Sequence, residues 1–94
     1  MREQLLSFLE YIKEEKNFSD NTVVSYKHDI ESFMEYINNI EISLKDCKPI
    51  HVEEYIKTLY DNGRTNSTIA RNVASIRCFF KYMFAEGLIN TDNE

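Results

Sequence analysis

The 94-residue chain holds two glycines and one proline, and each of the three sits at the edge of a run of regularly spaced apolar residues. A turn-rich β-sandwich needs many more of both residue types, so their scarcity points to helices joined by short connections. Leu5, Leu6, Phe8, Leu9 and Ile12 recur at helical spacing with charged residues elsewhere, which predicts a helix over about residues 2–16. "KNFSDNT" breaks it. Ser19 then offers an N-cap hydroxyl, and Asp20 places a negative charge in the positive first turn of a second helix. That helix spans about residues 20–38, with Val23, Tyr26, Ile30, Phe33, Met34 and Ile37 on its apolar face. "NNIEISLKDCK" reads as a connector whose Ile40, Ile42 and Leu44 tuck back onto the core.

Pro49 suits the first turn of a third helix, where its missing N–H costs nothing. Val52, Tyr55, Ile56 and Leu59 form the inner face of this helix, and Asn62-Gly63 stops it. Thr65 caps a fourth helix that runs to about Ala85 or Glu86 and ends at Gly87. Its inward positions are Ile69, Val73, Ile76, Phe80, Met83 and Phe84. No strand pattern competes. The expectation is an all-α, four-helix domain occupying residues 1–94.

No run approaches the roughly 18–20 apolar residues that span a bilayer. The start, "MREQLLSFLEYIKEEK", has charges on both flanks and no small-residue cleavage site, so it does not read as a secretory signal. A cytoplasmic protein without a membrane partner is expected. Cys47 and Cys78 form no C-x-x-C or other metal spacing, and His28 and His51 are isolated from each other, so neither a metal nor another cofactor is expected.

Charge is segregated. The net charge is −5, but residues 62–85 carry Arg64, Arg71, Arg77 and Lys81 with no Asp or Glu at all. On a helical wheel the side opposite the apolar stripe of the fourth helix holds Arg64, Ser67, Arg71, Ser75 and Cys78, with Thr68 and Ala74 near its edges. Arg77 and Lys81 fall on one flank. A solvated helix face usually mixes Glu with Lys, because opposite charges four residues apart support each other. This face offers short hydroxyls and arginines instead. Small residues allow close approach, and arginine presents a donor fork to phosphate or to a guanine edge. Three readings remain open on pattern alone: a DNA-facing surface, a surface for an acidic protein partner, or a solvated face balancing the acidic remainder.

The second helix echoes the fourth. "SDNTV" from Ser19 resembles "TNSTI" from Thr65: a capping hydroxyl, two polar residues, threonine, then a β-branched residue. Thr22 and Thr68 are then presented alike, with Ser25 and His28 on the side of the second helix away from its core and Lys27 at the flank. Asp29 and Glu31 make that face less clean.

"FSDNTVVSYKHDIESFMEYI", followed some forty residues on by "STIARNVASIRCFFKYMFAEGLI", resembles the N-terminal core-binding domain of the tyrosine recombinases, the phage-integrase and Xer-like family. The residues carrying the resemblance are Ser19-x-x-Thr22, Tyr26 and Asp29 ahead of Phe33, Thr68-Ile69-x-Arg71, and Ile76-Arg77-x-Phe79-Phe80-x-Tyr82. It implies a SAM-like orthogonal bundle of four helices that clamps one face of double-stranded DNA while a C-terminal catalytic domain grips the other. It further implies Thr22, Ser25 and His28, with Ser67, Thr68, Arg71 and Ser75, at or near DNA. Arg77 and Lys81 are expected at phosphates or at the missing domain, and Tyr26 and Tyr82 in packing rather than catalysis. Family members assemble as tetramers on paired sites.

The catalytic tyrosine, Arg, Lys and His residues belong to the C-terminal domain in that family. The chain is therefore expected to be a non-catalytic piece of a longer recombinase active in DNA recombination and integration. The departures are a tail, "NTDNE", without the family's usual proline, and Ala74 where a hydroxyl is common. The alternative is a helical protein-interaction module docking through the basic face of the fourth helix.

Overall fold

The computed structural model describes residues 2–89. Along them run α1 (Arg2–Glu14), α2 (Asp20–Asn39), a short 3-10 turn (Leu44–Asp46), α3 (Pro49–Asp61) and α4 (Asn66–Ala85). No strand occurs among the described residues. The "NTDNE" tail lies outside them.

Local chemistry explains where each helix begins and ends. The Ser19 hydroxyl oxygen accepts the Thr22 backbone N–H at 3.2 Å, and Thr65 does the same for Thr68 at 3.2 Å. At α3, Pro49 takes the first position and Nδ1 of His51 accepts the Lys48 backbone N–H at 2.8 Å. This histidine is thus a capping group. The far end of α3 is closed by two backbone bonds of 3.0 Å, Gly63 N–H to Tyr60 C=O and Arg64 N–H to Leu59 C=O. That closure needs a left-handed residue, and Gly63 supplies it with φ of +76°. Gly87 ends α4 in the same way. At α2 the left-handed position is taken by Glu41, and Ile42 N–H then bonds Ile37 C=O at 2.9 Å. The turn swings the connector inward, burying Leu44 and half-burying Ile42. Ile40, expected to tuck in, stays exposed.

α4 packs against all three other helices, and α2 against α1 and α3. A chain of aromatic contacts ties them together. Phe8 of α1 meets Phe79 of α4 edge-on at 5.2 Å, and the neighbouring Phe80 meets Phe33 of α2 at 6.0 Å. Phe33 in turn meets Tyr55 of α3 at 5.4 Å. Such edge contacts add roughly 0.5–1.5 kcal/mol each beyond the area they bury.

The helical wheel of α4 needs correction. Phe79, Asn72 and Ser75 are buried, whereas Phe84 is 47% exposed. A wheel divides a helix into inside and outside, but α4 is central and touches three neighbours, so its buried arc is broad and turned toward α2. Polar groups survive on that arc because each has a partner. Asn72 donates to its own helix at Thr68 C=O, 2.9 Å away, and Ser75 donates to α2.

Among the described residues no helix is long and apolar enough to cross a membrane, and no group of three or more His, Cys, Asp or Glu is placed to hold a metal ion. Burial pushes the Cys47 thiol up to about 11, which leaves it as a packing group rather than a nucleophile.

Candidate functional site

α2 and α4 start alike. Beyond the two backbone caps, Ser19 Oγ and Thr22 Oγ1 lie 2.9 Å apart, and the Thr65 hydroxyl donates to Thr68 Oγ1 at 3.0 Å. Thr68 therefore keeps its own hydroxyl proton for an outside acceptor, beside the positive end of the helix dipole. Thr65→Ala removes the α4 cap and is expected to lower stability by about 1 kcal/mol. The urea midpoint reads this out, with Asn66→Ala, whose side chain makes no capping bond, expected to stay within about 0.5 kcal/mol.

Two turns further along α2 and one along α4, the helices are bolted together. Asp29 of α2 is 4% exposed, and its carboxylate accepts Arg71 Nε–H at 2.9 Å and Nη2–H at 2.8 Å. The Ser75 hydroxyl adds a third bond to the same carboxylate at 3.0 Å. A carboxylate removed from water needs such partners, since an unpaired one costs several kcal/mol. The bound carboxylate pushes the Arg71 guanidinium up from its already high pKa, so its charge is permanent. The Arg71 side chain nevertheless remains 42% exposed.

A cleft of about 180 Å³ opens above this pair between α2, α3 and α4, with His28, Arg64, Thr68 and Arg71 among its lining residues. Asp29, Ser32, Tyr55 and Asn72 complete its polar wall. Burial raises the Tyr55 phenol from its ordinary value, while a hydrogen bond from Ser32 opposes that shift. The cleft is thus a small polar opening rimmed by arginine, histidine and hydroxyl groups, suited to an anionic or hydrogen-bonding ligand.

The sequence-predicted residues divide into four groups. His28, Arg64, Thr68 and Arg71 come together at the cleft. Thr22, Ser25 and Lys27 are half-buried on the first turns of α2, and Ser67 is exposed at the start of α4. Arg77 lies elsewhere, in a mainly apolar groove between α3 and α4 with Pro49, Val52, Glu53, Ile56 and Val73, and Lys81 is exposed a turn beyond it. Ser75 is the correction. It is 0% exposed, and its hydroxyl is spent on Asp29, so it offers nothing to a ligand here.

Asp29 was missed as a site residue, although its spacing carried a signal. It stands three residues after Tyr26 and four before Phe33, in register with the core positions of α2. Tyr26 and Tyr82 pack as expected, with Phe18 at 5.4 Å and Phe8 at 5.6 Å respectively.

Comparison with known proteins agrees with this architecture. Residues 5–87 match the family described as phage integrase, N-terminal SAM-like domain. A tyrosine recombinase of Pseudothermotoga lettingae is 39% identical over 88% of this chain and 30% of its own length. Tyrosine recombinase XerD of Chlorobaculum tepidum is 33% identical over 93% of this chain and 29% of its own, and tyrosine recombinase XerC of Anoxybacillus flavithermus 32% over 88% and 28%. The chain spans about three tenths of the length of these curated relatives. No solved structure matches it significantly. With the match running from α1 to the glycine that ends α4, on an all-helical fold, the chain belongs to the phage integrase N-terminal SAM-like domain family.

Proposed function

We propose that this chain is a DNA-binding domain that clamps one face of a duplex for a catalytic domain elsewhere in the full-length recombinase, and that it performs no strand exchange itself. The observation that carries the reading is the cleft mouth. Two helices with matched hydroxyl caps, pinned by Asp29 and Arg71, bring His28, Arg64, Thr68 and Arg71 to one opening. Hydroxyls and exposed N–H groups at helix starts bind phosphate, and flanking cations hold the register of a duplex.

In this reading Thr22, Ser25, Lys27 and His28 of α2, Arg64 of the turn before α4, and Ser67, Thr68 and Arg71 of α4 face DNA, and Lys81 meets phosphate. About three to five phosphate contacts give a slope of roughly −3 to −4.5 in log K against log salt. With the net charge at −5, affinity should be weak, on the order of 10⁻⁴ to 10⁻⁶ M. Tetramers on paired sites belong to the same proposal.

A second reading applies to one patch. Arg77 shares its groove of about 460 Å³ with Glu53 and apolar side chains rather than hydroxyls, and Ile50 nearby in α3 is exposed. That combination favours a protein, and the catalytic domain is the partner at hand.

An NMR titration with a short duplex at low salt tests both readings. Shifts are expected at Thr22 to His28 and Arg64 to Arg71, fading as salt is raised, with Arg77 and Ile50 unmoved. No shifts at any salt would sink the DNA reading.

A further inference from the structure

We propose that Asp29 makes Arg71 a reader of a guanine edge rather than a phosphate anchor, so that this pair contributes sequence discrimination while Arg64 contributes charge. The proposal rests on the DNA-binding reading above.

A guanidinium has two edges that each present paired N–H donors, the side edge of Nε and Nη2 and the end edge of Nη1 and Nη2. In Arg71 the side edge is fully used by Asp29, at 2.9 and 2.8 Å. The end edge keeps two parallel donors with no partner among the described residues, on a side chain that is 42% exposed and lines the cleft. Two parallel donors are what the O6 and N7 acceptors of guanine require.

The restraint runs deeper than one pair. Asp29 is itself held by Ser75, which is fully buried. Turning the guanidinium toward a displaced acceptor would break two charge-assisted bonds to a carboxylate that is only 4% exposed. A fixed direction distinguishes one base edge from another. It does little for a phosphate, which any mobile cation reaches.

Charge points the same way. A phosphate about 4 Å from the guanidinium would have the Asp29 carboxylate roughly 8 Å behind, and the inverse-distance law then cancels about half the attraction. Arg64 is exposed, and no carboxylate partner for it occurs among the described residues. The bond from its own N–H to Leu59 C=O sets its backbone at the cleft rim. Arg64 therefore has its full charge to offer a phosphate.

The test uses this chain, a fluorescent duplex of mixed sequence and a pool of duplexes with a randomised centre, after circular dichroism has checked the fold of each variant. The parent is expected to select a guanine at one position of the pool. Asp29→Asn releases Arg71 and removes a negative charge, so the salt slope should steepen by roughly 0.5–0.9 and the guanine preference should fade. A merely structural Asp29 would weaken binding at every salt concentration with the slope unmoved.

The double variant Asp29→Asn/Arg71→Gln keeps the net charge and covers the case in which the single variant fails to fold. Its slope should stay within about 0.3 of the parent while the guanine preference is lost. A slope shallower by about 0.9 would show that Arg71 neutralises a phosphate and would overturn the proposal. So would an unmoved slope in Asp29→Asn, no guanine selected by the parent, or a guanine still selected by the double variant. Arg64→Ala separates the two levels of the argument, since the DNA reading requires it to flatten the slope by about 0.9. If neither the parent nor Arg64→Ala binds DNA in a salt-dependent way, the DNA reading itself has failed and this assignment falls with it.

Discussion

Phe33→Ala is expected to destabilise the domain by about 3–5 kcal/mol, as large a loss as a single truncation produces. Phe33 is 0% exposed and stands where α2, α3 and α4 meet, with Tyr55 at 5.4 Å and Phe80 at 6.0 Å. Truncation removes the transfer energy of the ring and both edge contacts, and three helices cannot all close on the hole. A domain of this size holds about 5–15 kcal/mol in total, so the variant should be near its threshold. Thermal unfolding should show a midpoint lower by roughly 12–40 °C, taking about 4–8 °C per kcal/mol. Phe84→Ala is the internal control. That ring is 47% exposed, and its loss should move stability by about 0.5 kcal/mol at most. Equal effects at the two positions would mean that the packing of α4 described here is wrong.

Arg71→Ala should cost about 2–3 kcal/mol, for an electrostatic reason. Removing one member of a buried pair typically costs about 3–5 kcal/mol, because the other charge is left without compensation. Asp29 is buried, but the Arg71 side chain is 42% exposed, so water can enter part of the space it vacates and the figure must be discounted. Arg71→Lys should fall between parent and alanine, since an ammonium replaces the charge but not the side-edge fork. Urea unfolding measures the series. A loss under about 0.5 kcal/mol for Arg71→Ala would mean that Asp29 finds other partners and that the pair does not bolt α2 to α4. Weaker DNA binding by Arg71→Ala at low salt is also expected, and must be read on the folded fraction alone.

The boundaries of the helices were legible because the signals that set them are local. Ser19, Thr65, Pro49, Gly63 and Gly87 each act within a few residues of the helix end they define, and all five do so in the structure. α1 is the partial exception, ending at Glu14, two residues before the expected limit. The paired hydroxyl starts of α2 and α4 were legible for the same reason, as five-residue patterns whose hydrogen bonds close three residues apart.

What the sequence by itself determined is therefore the set of four helices, their caps, and the family to which their motifs belong. Only the tertiary structure decided which polar groups face outward. Asp29 meets Arg71 across 42 residues and Ser75 across 46, and no periodicity within one helix carries that information. A wheel drawn for α4 alone put Ser75 outside and Phe84 inside, because it allowed the helix one buried face. Packed against three neighbours, α4 buries a wider arc, and a hydroxyl can sit on it once a carboxylate from another helix supplies its hydrogen bond.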